Sequence, residues 1–317
     1  MHRYSYYKTA ACTLNVSIGD PQANKEEILK CIQALASDTQ LVVFPELCVT
    51  GYTCQDLFYE HTLLNRAKQV LFEIVEELPE NLVTVLGLPL EIENKLYNCA
   101  AICFNHDILG IQVKTYIPSY NEFYETRWFS SASELKENTT FTYKDKKVPV
   151  SNHIVFKDTT TSACLGIEIC EDLWVTIPVS STHALAGANV LCNLSASNEI
   201  ISKANYRRNL VKDQSAKCYA GYIYASAGPT ESSSDLVFSG HNLICENGAI
   251  LNETKTDKII YGQIDLDHLN HDRLHYKTSM QDLFHVNYTT VEFTSKPIEE
   301  IEFDRYIDAY PFVPHNQ

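Results

Sequence analysis

The stretch "GIEICEDLW", Gly166 to Trp174, decides how the chain is read. Gly166 to Cys170 have the pattern of a buried strand, and two carboxylates, Glu171 and Asp172, follow the cysteine at once. A thiol at the C-terminal end of a strand, with a turn into a helix behind it, is held at the top of a sheet beside backbone N–H groups, as in a nucleophile elbow. Cysteine is also a common small core hydrophobe, and the chain has eleven. Cys170 stands apart from the others because only it is followed directly by two carboxylates.

Outward from this stretch, short apolar runs alternate with helical segments. "TAACTLNV" (9–16) reads as a first strand, and Asn24 with Glu27 three residues later reads as a capping box opening a helix. That helix carries Ile28, Ile32 and Leu35 on one face. "LVVFPE" (41–46) reads as a buried strand. Further helices are expected at Thr62 to Leu78, Ser181 to Ala186 and Lys203 to Tyr219. Strands are expected at 82–90, 97–104, 108–114, 161–170, 188–197, 221–227, 235–246 and 259–266. The mixture predicts an α/β fold with a mixed sheet or a pair of sheets covered by helices.

At 317 residues the chain can bury a sizeable core. The net charge of −15, without a Lys- or Arg-rich stretch, removes the electrostatic attraction that drives binding to nucleic acid or to an anionic membrane. No apolar run reaches signal-peptide or membrane-spanning length, so the cytoplasm is the expected compartment. The cysteines are odd in number, lie largely in apolar runs and form no C-x-x-C pair, which suits reduced core thiols rather than disulfides or a metal site. From about Ser295 the sequence turns acidic and proline-containing and reads as a strap leading out of the domain.

A cysteine nucleophile needs a base and a cation or dipole for the oxyanion. Among the eleven histidines, His241 in "FSGHN" has the best setting, while His61, His183 and His285 read as helix or loop residues. Two other strand ends are stronger candidates. Glu46 closes "LVVFPE", where desolvation raises a carboxyl towards the range of a general base. Lys114 closes "ILGIQVK", where a cation can support an oxyanion and hold the thiol as thiolate. The expectation is that one sheet brings these ends together.

"VVFPELCVTGY", "KTYIPSYNEFYETRWF" and "GIEICEDLW" together resemble the three signature segments of the nitrilase, or carbon–nitrogen hydrolase, superfamily. More narrowly they resemble the glutaminase domain of glutamine-dependent NAD synthetases, a likeness that "NLSASN", "YRR" and the closing "YPFVP" share. The resemblance implies a four-layer α-β-β-α sandwich with two mixed sheets covered by helices. It implies Glu46 as general base, Lys114 as oxyanion-supporting cation and Cys170 as nucleophile. Glu125, or else Glu122, would be the additional glutamate that orients the lysine. It implies that Tyr120, Glu171, Trp174, Ser197 and Lys203 line a pocket for L-glutamine, with Glu171 holding the α-ammonium. No metal or organic cofactor is implied for the glutaminase step. Ammonia would pass to an ATP- and Mg-dependent synthetase domain that amidates deamido-NAD. No Ser-Gly-Gly-x-Asp-Ser pyrophosphate loop occurs here, so the expected organisation is a glutamine amidohydrolase domain over 1–290 and a strap over 291–317 towards that absent domain. A homo-oligomer is expected from the same likeness. The rival expectations are an amidase acting on another small amide or carbamoyl compound, and a catalytically silent oligomer scaffold.

Overall fold

The computed structural model describes residues 5–281, 285–298, 300–310, 312 and 313. Parts of the closing "YPFVP" and of the 291–317 segment therefore lie outside the described residues.

Strands β1 (Tyr6–Cys12), β2 (Leu41–Val43), β3 (Val83–Ile92), β4 (Lys95–Phe104), β5 (Asp107–Val113), β6 (Thr140–Tyr143) and β7 (Lys146–Ser151) build the first sheet. The second is built from β8 (Ile154–Asp158), β9 (Cys164–Ile169), β10 (Val190–Ser195), β11 (Gly221–Ser226), β12 (Asn242–Glu246) and β13 (Ala249–Thr254). The chain then returns: β14 (Ile259–Asp265) joins the first sheet beside β1, and β15 (Thr289–Phe293) joins the second beside β8. Both sheets are mixed, in the orders β14-β1-β2-β3-β4-β5-β7-β6 and β13-β12-β11-β10-β9-β8-β15.

Side-chain alternation along the strands creates the layers. In β2, Leu41 and Val43 face the space between the sheets while Val42 faces outward. In β9, Leu165, Ile167 and Ile169 face inward and meet Val43, Val85 and Ile102 of the other sheet. The outer face of the first sheet is covered by α1 (Pro21–Gln33) and α2 (His61–Glu77), which insert Ile28, Ile32, Val70 and Ile74. The outer face of the second is covered by α3 (Val179–Leu185) and α4 (Lys203–Cys218). The expected four-layer sandwich is therefore present. Because helices or the opposite sheet cover both faces, the central strands read as continuous apolar runs.

Some local expectations differ. Asp20, not Asn24, caps α1, accepting the N–H groups of Gln22 and Ala23. Asn24 is buried and ties Ser17 to the carbonyl of Val49. The stretch 235–246 is strand only over β12. Three strands between 140 and 158, together with β13, β15 and helix α5 (Leu266–His275), had no strong periodic signal. The last strand crosses residue 290, and the segment after it stays on the domain: Ser295 bonds Asp158, and Arg305 pairs with Glu246.

Pro45 ends the β2 ladder because it has no N–H to donate, yet the chain continues alongside β3, with Val49 N–H on the Gly87 carbonyl at 3.1 Å. A Cβ on Gly87 would stand 2.5 Å from Leu47 N and 2.6 Å from the Pro45 carbonyl oxygen. Gly87→Ala therefore forces the 45–47 segment off β3, at about 1–3 kcal/mol as an overpacking change. A thermal midpoint lowered by several degrees is the expected result in a melting experiment.

Candidate active site

Three chain segments converge at one end of the sandwich. Glu46 follows β2 and Lys114 follows β5, both on the first sheet, while Cys170 follows β9 on the second. The expected convergence on one sheet is thus corrected: the site spans two facing sheets. Packing of their inner faces brings strand ends from different sheets within reach.

Lys114 is fully buried, and its Nζ lies 2.6 Å from Glu46 Oε1 and 2.9 and 2.8 Å from the two oxygens of Glu125. Glu46 also accepts the Asn98 side-chain amide at 2.7 Å and the Ala196 N–H at 2.9 Å. Glu125 accepts the Tyr52 hydroxyl at 2.7 Å. Of the two candidate glutamates, Glu125 thus meets the lysine, and Glu122 instead accepts from Asn198. Cys170 takes a left-handed backbone, φ 45°, which a non-glycine residue adopts only when its surroundings hold it there. Its N–H donates to Asn193 Oδ1 at 3.2 Å, and its sulfur accepts the Ser195 hydroxyl at 3.3 Å. Ser195 and Ala196 are neighbours at the end of β10, so one short stretch touches both Cys170 and Glu46.

Burial pushes the Cys170 thiol well above its ordinary value, and Glu46 adds to that push against the opposing pull of Lys114. Both effects run against the thiolate expected from a nearby cation. Burial works against the Lys114 ammonium, but Glu125 and Glu46 together raise it well above its ordinary value. Burial likewise lifts Glu125 to about 7, against the lowering by Lys114. A thiol raised in this way, beside the Glu46–Lys114–Glu125 cluster, suits proton transfer from sulfur to Glu46 during attack.

At the mouth, Tyr120 donates its hydroxyl to Glu171 at 3.0 and 2.9 Å from the two oxygens. Burial raises Glu171 and lowers Lys203. The Lys203 ammonium bonds Asn198 and sits 5.5 and 5.2 Å from the ring centres of Phe123 and Trp174, where aromatic faces attract a cation. Ser197 turns its hydroxyl to the buried Arg207 at 3.2 Å. His241 is held between Arg207 and Glu253, and His183 bonds the carbonyl of Ile167. A small cavity of about 30 Å³ reaches the site through Tyr52, Glu122, Phe123 and Glu125, without Cys170 in its wall.

The family model described as carbon-nitrogen hydrolase matches residues 8–273. The chain belongs to the carbon-nitrogen hydrolase family. It is 35% identical to glutamine-dependent NAD(+) synthetase of Mycobacterium tuberculosis over 99% of its own length and 48% of that protein's. To the Homo sapiens protein of the same name it is 31% identical, covering 76% of this chain and 35% of the other. The chain thus spans about half the length, or less, of these curated relatives. Among solved structures, a glutamine-dependent NAD(+) synthetase from Cytophaga hutchinsonii superposes with a TM-score of 0.72 at 29% identity, covering 82% of this chain and 43% of that one.

In this carbon-nitrogen hydrolase, sequence reasoning missed Tyr52, Asn98, Asn193, Ser195 and Tyr224, the last bonded to Ser195 at 2.5 Å. Each was present in a quoted run or next to one, but as an uncharged residue in an apolar context it gave no signal of its own. The Glu125 shift carries a sign that can be checked. Below about pH 7 its carboxyl is neutral, and above it Glu125 adds a negative charge beside Lys114. Amide turnover is therefore expected to rise with pH through neutrality. Glu125→Gln is expected to flatten that limb and to lower kcat about tenfold or more, since one partner of a buried ion pair is lost. A pH–rate profile of both proteins checks this.

Proposed function

We propose that this chain hydrolyses the side-chain amide of L-glutamine to glutamate and ammonia. The observation that carries the reading is a pair of partly buried, opposite charges flanking Cys170. Glu171 and Lys203 are each displaced towards neutrality by burial, and each lies within electrostatic reach of the other. A bound α-amino acid supplies an ammonium for the first and a carboxylate for the second, countering both shifts through charge-assisted hydrogen bonds. A simple nitrile or aliphatic amide supplies neither. The names of the relatives, which share this half of their length with the chain, support the same substrate.

In the proposed reaction Glu46 takes the Cys170 proton while the sulfur attacks the amide carbon. The developing oxyanion is met by the Lys114 ammonium and by a backbone N–H near Glu171. The Cys170 N–H is already committed to Asn193, so it is not the donor invoked. Protonated Glu46 returns its proton to the departing nitrogen, the C–N bond breaks, and ammonia leaves a glutamyl thioester. Water, giving a proton to Glu46, attacks the thioester; the C–S bond breaks, the proton returns to sulfur and glutamate is released. These steps draw on protein side chains and water alone.

The ammonia would serve amidation of deamido-NAD by a synthetase domain of the kind named in the relatives, where ATP and Mg would be used. Cytoplasmic residence and self-association belong to the same proposal. Among the described residues no helix is long and apolar enough to cross a membrane.

The test is release of ammonia and glutamate from L-glutamine. Equal amounts are expected from wild type and none from Cys170→Ala. Glu171→Gln is expected to raise KM for glutamine about tenfold or more, the scale of a lost hydrogen bond to a charged group. Turnover of another amide or a carbamoyl compound, with glutamine untouched, would replace the substrate. No turnover of any amide, even with a synthetase domain supplied, together with a Cys170 inert to amide electrophiles, would leave a silent scaffold.

A further inference from the structure

The catalytic set is divided between two sheets, and that division poses a mechanical problem. Backbone ladders hold strands in register within each sheet. Between the sheets the contacts are mainly Ile, Leu, Val and Ala against one another, and such burial is non-directional. Something with direction has to fix how far Cys170 stands from Lys114.

Asp172 has the required geometry. It is fully buried. One carboxylate oxygen accepts the Thr115 N–H at 3.1 Å and the Tyr116 N–H at 2.9 Å; the other accepts the Ile169 N–H at 3.1 Å. Thr115 is the residue after Lys114, and Ile169 is the residue before Cys170. A single side chain therefore grips the backbone beside the lysine on the first sheet and the backbone beside the nucleophile on the second. Burial raises this carboxyl to about 8, with the N–H groups of Tyr116 and Ile169 working to lower it. A fold that buries so costly a group and surrounds it with three amide donors is using it as an acceptor.

We propose that Asp172 is a positioning residue that sets the spacing of Lys114 and Cys170 across the two sheets. It touches no reacting atom and acts through the backbone on either side. An asparagine there has the same shape but only one accepting oxygen, so its NH2 must face at least one amide donor and one end of the bridge is lost. A displacement of about 1 Å between reacting groups costs on the order of a hundredfold in rate.

The test compares Asp172→Asn with Asp158→Asn. Asp158 is also buried and accepts backbone N–H groups, from Thr160 at 3.0 Å and Ser295 at 3.1 Å, but at the far end of β8. It controls for the general cost of losing a buried carboxylate. The first readout is the rate at which iodoacetamide modifies Cys170, followed by mass spectrometry of its peptide, which requires no assumption about the natural substrate. The second is the split between kcat and KM for glutamine, which rests on the glutaminase reading. Asp172→Asn is expected to slow alkylation and lower kcat by about tenfold or more, with KM within about twofold. Asp158→Asn is expected to lower the melting temperature comparably while leaving both rates within about twofold of wild type. Should Asp172→Asn not fold, Asp172→Ser carries the same comparison. Rates for the folded Asp172 variant that match wild type, or that fall no further than those of Asp158→Asn, would overturn the proposal. Slowed alkylation in a protein that ignores glutamine would uphold it while removing the glutaminase reading.

Discussion

A lysine ammonium buried without access to water is the constraint on which the site depends. Taking such a charge out of solvent costs several kcal/mol, which must be offset locally by partners of good geometry. Lys114 has Glu46 on one side and Glu125 on the other, at 2.6 to 2.9 Å. Those two carboxylates are buried in turn and accept further hydrogen bonds from Asn98, Ala196 and Tyr52. Loss of Lys114 would leave two buried carboxylates without their counter-charge.

The same cluster sets the state of the nucleophile. With both glutamates ionised it carries one excess negative charge, and a thiolate beside it would add a second. Burial and Glu46 both work against a thiolate at Cys170, so in the proposed reaction the base acts in the same step as the attack. Lys114 there acts less by acidifying the sulfur than by meeting the oxyanion once charge moves to the substrate. Low dielectric around the buried cluster strengthens that interaction.

Support for the site extends well beyond Glu46, Lys114, Glu125 and Cys170. Gly87 lets the Glu46 segment lie against β3, since any side chain would collide with the Pro45 and Leu47 backbone. Asn193 holds the Cys170 N–H and Asp172 joins the two strand ends. Glu231, also buried, accepts the N–H groups of Tyr52 and Thr53 and so places the tyrosine that holds Glu125. The buried side chains of Asn193, Asp172 and Glu231 reach partners 23, 57 and 179 residues away along the chain.

Much of the architecture was legible because periodicity is a local property. Alternation and continuous apolar runs located β2, β3, β4, β9, β10 and β11, and the helices expected at Thr62 to Leu78 and Lys203 to Tyr219 match α2 and α4 to within a residue at each end. Glu46, Lys114 and Cys170 were also legible, since a polar group ending an apolar run is conspicuous, and their order matched a known set of segments. Pairings between remote residues were not. Nothing local distinguishes Glu125 from Glu122; only the path of the chain after β5 turns one to Lys114 and the other to Asn198. Nor does local pattern show that the nucleophile belongs to a different sheet from its base and its lysine. Strand periodicity records which face a side chain occupies, but not which strand of which sheet packs opposite, and that choice is made by the packing of the whole chain.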